Sequence, residues 1–414
     1  MNRVIYLSKL VFSVCFLVLC ISAPSIAHAA TEKFELALPA RSGMVINLVH
    51  SFGNLEVRQG IGTQVKITGS KLAESDNPEI AQEFLDNIEL DINNGPNQLD
   101  ITTVYPNIGF SLFKRNKVTN RGMSYVIEVP ADARLNIGLR FGNIELNRFS
   151  GGLKIQARQS IIQARELVGD VNISNVYGSI AIELISGNVV IVSDQGAVSA
   201  VGITGDLDLA NKFGSTEIRD VEGDVRSSGE ITPMHIEAVR GEVEVNSSDS
   251  TIDLIDIEES VVVRARRSHV TVEDVKGDVQ ITNREGVIDI ERVGGNIDVE
   301  SILGPLTIRN ANQDIVVRGR SSNLLLEEVM LVPSAAPRRI DLTTSLGFLK
   351  MNLPANLSAT LQATTRREQI HANFPVILND SDDESLSISA DFGDGKDFIT
   401  LTGTENVEIT LIKN

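Results

Sequence analysis

The chain has no tryptophan, five histidines, and only two cysteines, Cys15 and Cys20. These scarcities exclude much. Without cysteine pairs beyond residue 20 there is no zinc ribbon, no thiol redox motif and no disulfide framework. The Gly-x-Ser-x-Gly elbow, His-Glu-x-x-His and the phosphate-binding Gly-x-x-x-x-Gly-Lys are missing too. Positive charge is also short: 37 Lys and Arg stand against 55 Asp and Glu, a formal net charge of −18. That balance argues against nucleic acid or anionic lipid as partners and leaves cations or basic partners open.

Long apolar runs are absent as well. The longest, Leu10 to Ile21, is short of the roughly 20 residues a membrane-spanning helix needs. Arg3 and Lys9 precede or open it, and Ala27-His28-Ala29 follows as a small-x-small cleavage site, so residues 1–29 read as a secretory signal. Cys20 offers a lipoprotein alternative, but Leu19 is large where that processing site takes a small residue. Soluble export to the periplasm or cell surface is the reading kept. The mature chain would have no cysteine and no transmembrane segment, and would rely on its core alone.

What the chain has in quantity is one nine-residue phrase, repeated 21 times without insertion from Gly142 to Met330. The opener is usually Gly (Gly169, Gly178, Gly187, Gly196, Gly205 and onward), where a tight turn is expected. The third residue runs Ile144, Leu153, Ile162, Val171 to Leu324, with Thr216 its one polar member. The fifth runs Leu146, Ile155, Ala164, Ile173 to Leu326, with Ser227 polar. Apolar residues two apart, rich in Val and Ile, bury one face of a short strand. The eighth residue is apolar in alternate phrases (Ile185, Ile203, Val221, Val239, Ile257) and mostly polar between them, Val176 and Ile302 excepted. The unit is therefore an 18-residue pair of strands with unlike corners. An antiparallel meander could use a nine-residue period, but unlike corners favour a parallel stack. The expected fold class is all-β: a parallel β-solenoid, β-helix-like, with 18-residue two-strand coils. β-Rich caps are expected at both ends, over 30–141 and 331–414.

The cap segments lack the nine-residue phasing. Asn77 with Pro78 predicts a short helix start. Ser51-Phe52-Gly53-Asn54-Leu55-Glu56-Val57 reads as an early copy of Phe141-Gly142-Asn143-Ile144-Glu145-Leu146. Lys114-Arg115-Asn116-Lys117, with Arg121, makes a basic loop: a contact for an acidic partner, or the solvated turn preferred here. Pro333-Ser334-Ala335-Ala336-Pro337 reads as a loop.

These residues resemble the bacterial putative-adhesin family of β-strand-repeat domains of unknown function. The likeness rests on the Gly-[Asp/Asn/Ser]-apolar-x-apolar phrase, the lead-in Val129-Pro130-Ala131-Asp132-Ala133, the closing Ile340 to Pro354 pattern and the final strand Val407 to Ile412. It implies an exported β-solenoid with an adhesive or envelope role, and brings no catalytic residues.

Candidate chemistry is thin. His50, His235, His269 and His371 are lone histidines, read as surface residues rather than general acids or bases. Asp253, Asp289 and Asp298 point outward, and the first two would share a face two coils apart with Thr271 between, near the spacing of inverting carboxylates. Asp170, Asn188, Asp206, Asp224, Glu242, Ser260, Asp278, Asn296 and Asp314 recur every 18 residues. Stacked along one edge they could bind calcium; turn chemistry, with Asp and Asn bonding nearby amides, is preferred. Asp391 to Asp397 reads as a hairpin turn. Thr216, Ser227, Gly229 and Pro233 thin the core in three successive phrases, as a binding groove or, preferred, a local bulge. No catalytic, cofactor-binding or metal-binding residue is assigned, and no cofactor is expected. The function read is a non-enzymatic exported scaffold with a cell-envelope protein or glycan as partner. A polysaccharide-active β-helix enzyme and an envelope-stress or signalling partner are the alternatives. The oligomeric state is left open.

Overall fold

In a computed structural model, residues 28–106, 118–329, 336–366, 369–379 and 385–412 are described. The expected leader up to residue 27, the basic stretch Lys114 to Lys117, and Pro333 to Ala335 lie outside them. His28 and Ala29 begin the first strand, His28–Pro39, and are exposed.

The chain is all-β apart from one helix. Its strands are mostly parallel and form one long sheet system that does not close into a barrel. The pairing follows from the repeat. Ile162 lies opposite Ile180, and Val171 opposite Val189, so each strand pairs in parallel with the strand 18 residues on. Successive strands alternate between two ladders. One holds Ser160–Val168, Ile180–Ser186 and Val198–Ile203; the other holds Leu153–Arg158, Val171–Val176 and Val189–Asp194. The 18-residue offset is already present where Leu135 pairs with Leu153.

Because like columns stack, like residues meet. Third and fifth positions of every phrase are buried, in one apolar core that runs from Ala40 to Ile409. The apolar eighth residues from Phe149 through Ile185, Val239 and Val293 to Val329 are buried with them and fill one corner. Ile302 is exposed and Val176 half-buried, which explains why they break the alternation: both sit at the other corner.

That other corner is polar inside, which the sequence did not announce. Asn175, Ser193, Asn211, Asn283 and Ser301 are each at most 2% exposed there. Asn175 Nδ2 donates to Ser160 O at 2.7 Å and Asn283 Nδ2 to Ser268 O at 2.7 Å, so the buried amides tie each coil to the one before.

The glycine openers have a second reason to exist. Gly142, Gly169 and Gly187 do take the positive φ of a glycine turn. Gly178, Gly196 and Gly214 do not; a Cβ on them would overlap the opener carbonyl of the preceding coil. Close stacking, rather than turn conformation, demands glycine at these three.

The expected bulge is not there. Leu209 pairs with Ser227 and Thr216 with Met234 without a register shift. Met234 reaches across instead: its methyl occupies the place a Cβ on Gly229 would take, and Ser227 Oγ donates to its sulfur at 3.7 Å. A flexible side chain fills what small residues leave.

Both ends depart from chain order. Val45–Phe52 and Leu55–Gln59 stack on the two halves of Arg134–Ser150, with Phe52 opposite Phe141 and Leu55 opposite Ile144, as the early-copy reading expected. Gln98–Val104 and Val118–Val129 stack outside them in parallel. Antiparallel strands then close that end: His28–Pro39 on Gln64–Ser75, itself on Val118–Val129, and Glu89–Asn94 on Gln98–Val104. The helix Pro78–Asp86 packs there through Ala81, Phe84 and Leu85, capped by Asn77 Oδ1, which accepts from Glu79 N at 2.9 Å. At the far end, the last strands of the chain, Asp397–Gly403 and Val407–Ile412, stand between Arg339–Thr344 with Leu349–Pro354 and the earlier Ala359–Thr365 with Ile370–Ala372. Leu386–Phe392 adds an antiparallel strand there.

Candidate functional site

The Asp and Asn edge is built by the stack itself. Asn188 N donates to Asp170 Oδ1 at 3.2 Å, Asp206 N to Asn188 Oδ1 at 3.0 Å, and Asp224 N to Asp206 Oδ1 at 3.0 Å. Glu242 N to Asp224, Asn296 N to Asp278, Asp314 N to Asn296, and Arg339 N to Asp314 continue it. Each side chain thus accepts an amide one coil onward, not one in its own turn. The amide-bonding reading is correct in kind but was placed too locally. The glycines Gly205, Gly223, Gly241 and Gly295 belong to the same device. A Cβ on Gly205 would stand 2.5 Å from Asn188 Oδ1, and on Gly223 2.6 Å from Asp206 Oδ1. Among the described residues, no group of three or more His, Cys, Asp or Glu side chains is placed to hold a metal ion.

Outward charges are spent the same way. Arg148 reaches Glu166 at 2.8 Å, Arg240 Glu222 at 3.0 Å, Arg267 Asp249 at 2.6 Å, Lys276 Glu258 at 2.8 Å and Arg292 Asp274 at 2.6 Å, always one coil away. Singly, exposed pairs of this kind add little to stability. In rows they favour one register over a slipped one.

Asp253 and Asp289 do share a face, with Thr271 between them. His269 Nε2 lies 3.6 Å from Asp289, and Asp298, on the other ladder, is held by Arg318 at 2.7 Å. His235 is half-buried beside Glu237 at 3.3 Å, and His371 is exposed. A groove of about 660 Å3 lies where the N-terminal antiparallel strands meet the stack, lined by Lys33, Asn54, Glu56, Ser124, Glu145 and Gln163 among others. Its floor is flat sheet.

His50 is not the surface residue expected. It is 1% exposed, with Nδ1 2.9 Å from Thr103 Oγ1 and its ring edge-on to Tyr125 at 5.2 Å. Burial lowers its pKa to about 4, and burial pushes the Tyr125 phenol up to about 12. The folded state therefore holds His50 neutral while the unfolded state protonates it near pH 6.5. Stability is full above that pH and falls as pH drops towards 4, by about 3 kcal/mol in total. Urea melts between pH 7 and 5 should show this slope begin, and His50→Leu should flatten it. An unchanged slope in the variant would remove His50 as the cause.

Beside it, Arg121 stacks over Phe52 at 4.6 Å, Phe52 lies on Phe141 at 5.1 Å, and Tyr105 OH donates to Phe52 O at 2.6 Å. Of the expected basic patch, the described member Arg121 is engaged with aromatic rings.

No family model matches the chain, and no curated protein matches it. The solved structures it is similar to include three bacterial proteins. One is described as a putative cell adhesion protein from Clostridium sporogenes, at 9% identity over 92% of this chain and 100% of that one, with a TM-score of 0.18. A second is described as a putative adhesin from Bacteroides fragilis, at 13% identity over 77% and 97%, with a TM-score of 0.16. The third is described as a putative lipid binding protein from Parabacteroides distasonis, at 12% identity over 72% and 96%, with a TM-score of 0.22. Whole-chain superposition at these scores is poor, so the names carry no weight for this chain's function. Among the described residues, no helix is long and apolar enough to cross a membrane.

Proposed function

We propose that this chain is a non-enzymatic exported scaffold, a β-solenoid that presents long regular outer faces to a glycan or protein of the cell envelope. In this reading residues 1–29 are a leader, 30–141 and 331–414 cap the ends, and 142–330 are the repeated shaft, at work in the periplasm or at the cell surface. The observation that supports it most is where the polar chemistry goes. The carboxylates and amides of the Asp and Asn edge accept backbone amides of the next coil, and the rows of charges pair between coils. Side chains that an enzyme would keep free for substrate are used here to hold the stack straight.

The test is retention of the processed chain, residues 30–414, by isolated envelope fractions and a glycan panel, with and without calcium. Saturable retention by one fraction is expected, unchanged by calcium because one oxygen of each Asp and Asn already accepts a backbone amide. Turnover of any glycan would overturn the non-enzymatic reading, and calcium dependence would return that edge to metal binding.

A further inference from the structure

Most corners of the stack place a residue in the left-handed backbone region. At the apolar-filled corner that place falls to Gly202, Asp220, Asp256, Asp274 and Asn310, types that tolerate it, and equally to Arg148, Glu166, Leu184, Ala238, Arg292 and Glu328. At the polar corner it falls, after Gln159 and before Asp249 and Arg267, to Tyr177 at φ 63°, Gln195 at 59°, Phe213 at 54° and Ile231 at 51°. Bulky side chains are unfavourable there, and a β-branched one is a genuine outlier. Burial does not compensate them: Tyr177 is 43% exposed, Phe213 47% and Ile231 53%. Left-handed backbone recurs at both corners, so it is the run of exposed apolar side chains in one file that points to a partner outside the fold.

The four stand in file. Tyr177 N donates to Asp194 O at 2.8 Å, Gln195 N to Lys212 O at 2.8 Å, Phe213 N to Glu230 O at 3.1 Å and Ile231 N to Ser248 O at 3.0 Å. Each therefore sits one coil from the next, roughly 4.8 Å. Two aromatic rings are separated by one amide-bearing side chain, and Arg158 lies 5.9 Å from the Tyr177 ring.

We propose that this file is a binding ridge for a linear, neutral, β-linked glycan lying along the stack. The proposal rests on the scaffold reading and names its ligand class and its site. A pyranose unit advances such a polymer by about one coil rise, and alternate rings turn the same face to the same side. Tyr177 and Phe213, two coils apart, stack on every second ring; Gln195 hydrogen-bonds the hydroxyls between; Ile231 extends the apolar contact by one unit. A flat ring edge with amides at intervals suits sugars, which are apolar on their faces and polar at their rims. A bilayer would need an uninterrupted apolar strip, and a net charge of −18 disfavours an acidic polymer.

The experiment is affinity electrophoresis of the processed chain in gels containing hydroxyethylcellulose or glycol chitin, against gels without polymer. Retardation is expected, and Tyr177→Ala with Phe213→Ala should weaken it about tenfold or more. Phe213→Asn with Ile231→Asn suits the left-handed backbone, so these changes should raise the melting temperature while weakening retardation. A gain in stability alongside lost binding cannot come from misfolding. Leu184→Ala, at the opposite corner, should change nothing. Full retardation of the Asn variant would overturn the ridge, as would an unretarded parent chain. If that Asn variant still binds envelope fractions as the parent does, the ridge falls and the scaffold reading stands.

Discussion

Replacing Gly196 with alanine should cost about 3–5 kcal/mol of folding stability, near the upper end for single substitutions. The added Cβ would meet Gly178 O, a backbone atom that cannot swing aside as a side chain would. Gly152→Ala is the matched control: nothing lies within 4 Å of its Cβ position, and little change is expected. Gly196→Ser should be milder than Gly196→Ala. Ser250 and Ser268 occupy the same column, and their hydroxyls accept Thr232 N at 3.1 Å and Ser250 N at 3.3 Å. Alanine has no such hydroxyl. Chemical denaturation of the three variants decides the matter; equal midpoints for Gly196→Ala and Gly152→Ala would mean that the coils slide apart at little cost.

The second large effect is expected at the far end. Arg338 and Asp397 form an ion pair at 2.7 Å, each side chain 6% exposed. Asp397 Oδ1 also accepts Arg338 N at 2.9 Å, and Arg338 Nη1 donates to Asn312 O at 3.2 Å. The pair thus joins the last regular coil to the strand that enters from the chain's end. Asp397→Ala strands a buried guanidinium and should cost about 3–5 kcal/mol, whereas Arg338→Met with Asp397→Leu removes both charges and should cost much less. Limited proteolysis should show the single variant opening first after residue 336. If the single and double variants melt alike, the pair contributes packing rather than charge.

Much of the shaft was legible because its signal is periodic. Third and fifth positions, the apolar corner and the 18-residue offset each repeat often enough to outvote exceptions such as Thr216 and Ser227. Phe52 and Leu55 were legible as an early copy because the motif itself recurs. Other features had no such signal. Asn175 and Asn211 look like surface residues by type, and only the backbone they bond, Ser160 O and Gly196 O, explains their burial. His50 stands alone in a strand-like stretch, and nothing local tells a buried histidine from an exposed one. A glycine needed for space, like Gly196, reads the same as one needed for its φ, like Gly187. Tyr177, Phe213 and Ile231 passed as ordinary ninth residues because left-handed backbone cannot be seen in residue type when the residues are the wrong ones for it.

The out-of-order ends set a rule for how the molecule can be made. Through the shaft, each coil finds its partner 18 residues back, so assembly can follow the emerging chain. At the far end Ile340 waits for Ile399 and Leu349 for Val407. Bridging that longer separation adds only about 1 kcal/mol of loop-closure entropy, so the delay is one of timing, not of energy. An elongating chain has an open, strand-ready end until residues 397–412 arrive. The strands 397–403 and 407–412 act as a latch, and a chain cut short before them would carry an adhesive edge in place of a covered one.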